Sequence, residues 1–194
     1  ERWDEALLLR NQLGDEEKVT ELHRRMASVF WRELGKTEQA RENFDKALEI
    51  LKTKPESVEL AALYAARAHM SYFTEDVMKA RSWAEKALEL GKKLNANEAI
   101  AISCEALGFV YSASGDTRES VECMEEALKI ALDNGYVDTA LRVYNNLAVN
   151  LPVGKEELER DFDCFEKGLE LAKKAGDISS IAWFEWELSN MYFG

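Results

Sequence analysis

Proline, histidine and cysteine are scarce in this chain, and each scarcity closes off a class of protein. Two prolines in 194 residues, Pro55 and Pro152, leave long stretches without a helix breaker. Two histidines, His23 and His69, stand 46 residues apart, and no Cys or carboxylate pattern supplies zinc-ligand spacing, so neither metal nor cofactor is expected. Three cysteines, Cys104, Cys123 and Cys164, are odd in number and set in apolar helical patterns. They fit small thiols in a reducing, cytoplasmic setting better than a disulfide framework. Basic residues are outnumbered 25 to 37, and the resulting charge of −12 repels phosphate backbones and anionic lipid. Nucleic acid and membrane are therefore not expected as partners. No apolar run approaches the length of a bilayer span. The opening Glu1-Arg2-Trp3-Asp4 is neither a signal peptide nor an initiator, which reads as a segment of a larger protein.

What is present is a period. Glu5-Ala6-Leu7, Lys46-Ala47-Leu48, Lys86-Ala87-Leu88, Glu126-Ala127-Leu128 and Lys167-Gly168-Leu169 align, with the small residue at intervals of 41, 40, 40 and 41. Each interval holds two stretches with apolar residues three and four apart, the spacing of one helical face. Leu22, Met26, Val29 and Phe30 form one such stripe, and Ala40, Phe44, Ala47, Leu48 and Leu51 the next. Gly14-Asp15, Gly35-Lys36-Thr37, Gly115-Asp116-Thr117 and Gly176-Asp177 each pair a helix-ending glycine with a capping residue. Pro55, Asn134-Gly135 and Pro152-Val153-Gly154 mark three further breaks.

The pattern predicts ten helices, at roughly 2–13, 16–34, 38–53, 57–73, 77–93, 97–114, 118–133, 137–151, 156–174 and 178–193. Connections this short make neighbours antiparallel, and a small side chain at the repeated position lets crossing backbones approach. The expected fold is all-α, a solenoid of stacked antiparallel helix hairpins. It is expected as a single repeat domain over 1–194, with partial repeats at 1–14 and 177–194 and full ones at about 15–54, 55–95, 96–135 and 136–176.

The third unit, Cys104-Glu105-Ala106-Leu107-Gly108-Phe109-Val110-Tyr111 through Gly115 to Ala127-Leu128, resembles the tetratricopeptide repeat, a family whose signature has Leu-Gly, then Tyr, in the first helix and Ala, Phe, Ala in the second. The first unit supplies Ala27, Trp31, Gly35, Ala40, Phe44 and Ala47 at corresponding places. The second supplies Tyr64, Ala68, Ala80, Ala84 and Ala87, and the fourth Tyr144, Leu147, Ala148, Phe165 and Gly168. The period of about 40 exceeds the family's 34 and is similar to the longer repeats of kinesin light chains and of bacterial and archaeal regulators. The fourth unit departs further, with Asp161 where a small residue is expected and one extra residue around Leu151-Pro152-Val153-Gly154.

The resemblance implies a right-handed superhelix whose first helices line a concave groove that takes a peptide or protein segment. Carried over position by position, the contacts would be Arg25, Val29 and Arg32; His69, Tyr72 and Phe73; Glu105 and Phe109; Arg142, Asn145 and Asn146; and Trp183, Trp186 and Asn190. Aromatics would provide area, arginines pair carboxylates and amides satisfy a peptide backbone. Each aromatic has core packing as its alternative, Arg25 and Arg32 have solvation among glutamates, and Asn145 has capping or bonding within the stack. Arg25 and Asn145 alone do not assemble the carboxylate clamp of the chaperone-binding relatives.

The last stretch, Ile181-Ala182-Trp183-Phe184-Glu185-Trp186-Glu187-Leu188 to Met191-Tyr192-Phe193, is rich in aromatics. It implies a further helix beyond it or self-association. Catalysis is not expected: the acidic cluster Glu122, Glu125 and Glu126 reads as a solvated helix side. Two functions remain. One is a protein-interaction adaptor; the other is the sensory or regulatory segment of a larger signalling protein such as a transcription regulator or nucleotide cyclase.

Overall fold

Helix ends set this architecture. At Gly115 (φ 84°) and Gly176 (φ 72°) the chain turns left-handed, and the following amide closes back on a carbonyl five residues earlier. Asp116 N–H reaches Tyr111 O at 2.9 Å, and Asp177 N–H reaches Ala172 O at 3.1 Å. A side chain would be strained there, which is why glycine occupies both corners. Among the described residues the same turn is made once without glycine, at Asn95 (φ 53°), where Ala96 N–H meets Gly91 O at 2.9 Å. Starts are capped by short oxygens: Asp15 takes Lys18 N–H at 3.2 Å, Ser57 takes Leu60 N–H at 3.2 Å and Asp76 takes Lys79 N–H at 2.8 Å.

The computed structural model describes residues 2–149 and 155–193. It contains helices α1 (Arg2–Gln12), α2 (Glu16–Arg32), α3 (Thr37–Leu51), α4 (Val58–Thr74), α5 (Val77–Leu94), α6 (Asn97–Ser114), α7 (Thr117–Asn134), α8 (Val137–Val149), α9 (Lys155–Ala175) and α10 (Ile178–Phe193). No strand occurs among the described residues. Every described helix end lies within two residues of the position read from the sequence. The Pro152-Val153-Gly154 break lies outside the described residues.

The chain divides into two compact units, Glu1–Ala99 and Ile100–Gly194. In the first, α2 pairs with α3 and α4 with α5, and α4 also packs on α2 and α3. In the second, α7, α8, α9 and α10 pack in succession. Its α6 meets α7 where Ser120 Oγ donates to Gly108 O at 2.7 Å. Each unit is thus an all-α stack of helix hairpins, the class that the period implies.

Small residues sit at the crossings. Ala47, Ala87 and Ala127 have no exposed surface, nor do Ala40, Ala80 and Ser120 at the corresponding position seven residues earlier. Asp161, the departure from the small-residue pattern, is buried too, and its Oδ1 accepts from Arg160 Nη2 at 2.9 Å. Enlarging such a position overpacks the crossing: Ala127→Leu is expected to cost about 1–3 kcal/mol, read as a lower urea midpoint at unchanged slope.

All three cysteines are free. Burial pushes the Cys164 thiol up to about 11, so it stays protonated and unreactive at neutral pH. No helix among the described residues is long and apolar enough to cross a membrane. No cluster of three or more His, Cys, Asp or Glu positioned for a metal occurs among them either.

Candidate functional site: the first-helix surfaces

In the first unit the expected contacts fall on α2 and α4, which are tied by an ion pair. Arg24 Nε and Nη2 donate to the two Glu59 oxygens at 2.7 and 3.2 Å. Burial works against the Arg24 charge, yet Glu59 outweighs it and keeps the pKa above the ordinary arginine value. Beside this brace stands an aromatic cluster. Trp31 lies 5.1 Å from the His69 ring and 5.8 Å from Phe73, and Phe73 lies 5.0 Å edge-on to Tyr72.

Burial sorts these residues. His69 is buried, Tyr72 is half-buried, and Phe73 is 56% exposed, a large apolar surface facing water. Val29 and Arg32 are exposed on α2, as is Arg25, which pairs with Glu21 at 2.7 Å. His23, the other histidine, sits 2.8 Å from Asn43 Oδ1. Trp31, read from the sequence as a repeat position only, proves to be the ring that joins α2 to the α4 aromatics.

In the second unit the expected contacts divide in two. Glu105 has no exposed side-chain surface, and its carboxylate accepts Arg142 Nη2 at 2.8 Å, Arg142 Nε at 3.2 Å and Asn146 Nδ2 at 3.0 Å. Glu105, Arg142 and Asn146 are therefore bonded to one another and join α6 to α8, with Arg142 half-buried. Phe109 lies in the core at 3% exposure. A carboxylate can be buried this deeply only because a bidentate guanidinium and an amide replace its water.

The other group is outward. Trp183 Nε1 donates to Asn145 Oδ1 at 2.7 Å, and the Trp183 and Trp186 rings lie 5.4 Å apart. Trp183 is 46% and Trp186 55% exposed, and Asn190 lies exposed on the same helix. Each unit thus carries exposed aromatic surface on a first helix, α4 in one and α10 in the other.

Comparison with known proteins agrees with this architecture. Residues 59–133 match the family model described as Tetratricopeptide repeat. No curated protein matches the chain by sequence. Among solved structures, BtubC (BKLC) from P. vanneervenii superposes with TM-score 0.61 at 18% identity, covering 98% of this chain and 86% of that one. Aspartyl phosphate phosphatase F from Bacillus subtilis gives TM-score 0.66 at 15% identity over 88% of this chain and 44% of its own. A signal transduction ATPase with numerous domains from Pyrococcus horikoshii, carrying a tetratricopeptide repeat sensor, gives 0.57 at 20% identity over 91% of this chain. This chain spans 26% of that ATPase. At these identities the likeness is one of fold. Residues 59–133 thus match tetratricopeptide repeats, and the chain as a whole shares the helical-repeat fold of these structures.

Proposed function

We propose that the chain binds a peptide or protein segment through its first-helix surfaces and carries out no catalysis of its own. The observation that carries this reading is the exposure of Trp183 and Trp186 beside the Asn145 amide, with Phe73 as their counterpart in the first unit. Exposed tryptophan and phenylalanine cost hydration that a partner's apolar side chain relieves, and such residues anchor interfaces. The contact set on this reading is Arg25, Val29, Arg32, Tyr72 and Phe73 in one unit and Asn145, Trp183, Trp186 and Asn190 in the other. His69 supports the first group from beneath, and Glu105, Arg142 and Asn146 hold the second unit's scaffold.

The test is capture of partners from cell extract by the intact chain, followed by mapping of the bound segment and titration. Trp183→Ala with Asn145→Ala is expected to weaken that segment by at least about tenfold, with the unfolding temperature nearly unchanged because both side chains are partly solvated. Affinity that survives the pair of changes sinks the assignment. A captured second copy of the chain, confirmed by sedimentation, would make self-association through α10 the function of this surface.

A regulatory role is the second reading, favoured by the tetratricopeptide repeat sensor of the Pyrococcus horikoshii ATPase. Both readings use the same surface. They differ in whether ligand binding changes the activity of an attached domain, which an assay of the full-length protein with and without the mapped segment separates.

A further inference from the structure

The second helices carry a pocket that the proposed function does not use. It lies wholly in the first unit, a groove of about 680 Å³ between α3 and α5 and the end of α4. Arg41, Arg67, Lys79 and Lys86 line it, against the carboxylates of Glu75 and Asp76. Counted within the lining alone, four cations against two carboxylates leave a surplus of two positive charges, in a chain whose net charge is −12.

Three of the cations gather round one carboxylate. Glu75, 9% exposed, lies 3.3 Å from Arg41 Nε, 3.4 Å from Arg67 Nη2 and 3.7 Å from Lys79 Nζ. Those distances are long for charge-assisted bonds, so Glu75 holds none of the three tightly; Arg41 also pairs with Glu38 at 2.7 Å and Arg67 with Asp45 at 3.0 Å. Arg67, with 12% of its side chain exposed, is fixed by packing: its guanidinium carbon is 5.8 Å from the Phe44 ring centre and 5.9 Å from that of Trp83. Its buried Nε has no hydrogen-bond partner among the described residues. Lys86 has no carboxylate partner among them either, and its Nζ sits 5.0 Å over the Trp83 ring. Asp76 is turned to capping, accepting the Lys79 backbone N–H at 2.8 Å. The remaining partners, Glu38 on Arg41 and Asp45 on Arg67, are 77% and 55% exposed, and such solvated pairs contribute little and are readily exchanged.

The second unit supplies a contrast. Its equivalent groove, about 420 Å³ beside α7 and α9, puts Arg160 and Lys167 at the register of Lys79 and Lys86. There three cations meet three carboxylates, and Cys164 stands at the register of Trp83. The first groove alone of the two has more cations than carboxylates in its lining, and its aromatic plane is Trp83 where the second has Tyr144.

We propose that this first-unit groove binds a phosphate monoester. A phosphate carries close to two negative charges at neutral pH, equal to the surplus, and three acceptor oxygens suited to two arginines and two lysines. Of its two sources, a phosphorylated residue of a partner polypeptide uses the volume, since the residue's remainder rests against Trp83. The other source, free phosphate, fills only part of the groove.

The experiment titrates the full chain, its tryptophan indoles labelled with ¹⁵N, with N-acetylphosphoserine amide, N-acetylserine amide and inorganic phosphate at low salt. Saturable movement of the Trp83 indole is expected with phosphoserine amide, weakened at least about tenfold by Lys79→Ala with Lys86→Ala and by raised salt. These lysines are exposed, so the variant is expected to keep its unfolding temperature. Tighter binding of phosphoserine amide than of inorganic phosphate assigns the polypeptide source, and equal binding assigns the free ion. No saturation by either phosphate, an equal response to N-acetylserine amide, or undiminished binding by the double variant overturns the proposal.

Discussion

Arg142→Ala is expected to destabilise the protein by about 3–5 kcal/mol, although the residue lies on a helix face where a partner contact was anticipated. The cause is Glu105. Its carboxylate has no exposed surface, and Arg142 supplies two of the three donors described above, at 2.8 and 3.2 Å. Removing the guanidinium takes both of its bonds from a carboxylate in a poorly polarisable interior, while the Asn146 amide stays at 3.0 Å. The loss reflects the carboxylate's missing bonds rather than the intrinsic worth of the pair. Replacing Glu105 and Arg142 together with methionine is therefore expected to recover most of the stability. Urea unfolding followed by far-UV circular dichroism checks both; an unchanged midpoint for Arg142→Ala would show that water reaches Glu105.

Phe184→Ala is the second large effect, about 3–5 kcal/mol for emptying a fully packed site. Phe184 is 1% exposed, its ring centre lies 6.2 Å from that of Phe165, and its edge lies against Gly168. A methyl group at Gly168 would come 2.5 Å from Phe184 Cζ, and a packed ring cannot bend away as a chain can. At Gly108 the equivalent close neighbour, at 2.6 Å, is the flexible side chain of Met124. Gly168→Ala is accordingly expected to cost about 1–3 kcal/mol, and more than Gly108→Ala. Trimming the ring with Phe184→Leu should relieve part of the Gly168→Ala penalty, so that the two changes combine to less than their sum. Thermal melts of the parent, the two single variants Gly168→Ala and Phe184→Leu and their combination read this directly, and strict additivity would mean that ring and glycine do not meet.

The contrast between these sites shows what was legible in the sequence. Helix positions were, because apolar spacing, capping oxygens and terminal glycines are local and repeat with the period. Gly168 and Ala127 were legible as close crossings for the same reason. Asn95 was not, since asparagine at a left-handed end looks like any loop asparagine between Leu94 and Ala96. The functional surface was legible only to the level of a helix. Position along α6 and α8 placed Glu105, Arg142 and Asn146 on an outward line, but a charged residue's orientation depends on whether a counter-charge waits for it about forty residues away. The only hint was that Glu105 interrupts the otherwise small and apolar run Cys104 to Val110. The phosphate pocket was invisible for a related reason: its cations are scattered over three helices among more numerous acids and converge only when those helices pack.

The brace between Arg24 and Glu59 spans 35 residues of chain, that between Arg142 and Glu105 spans 37, and the Trp183–Asn145 bond spans 38. Bonds of this reach join adjacent hairpins without waiting for distant termini to meet. Loop-closure entropy is then small at every stage, so folding can start in more than one place and advance hairpin by hairpin. Its reversal has the same grain. Within each unit amide protons should exchange in graded tiers, and cooperative loss of the whole chain is not required before one hairpin opens.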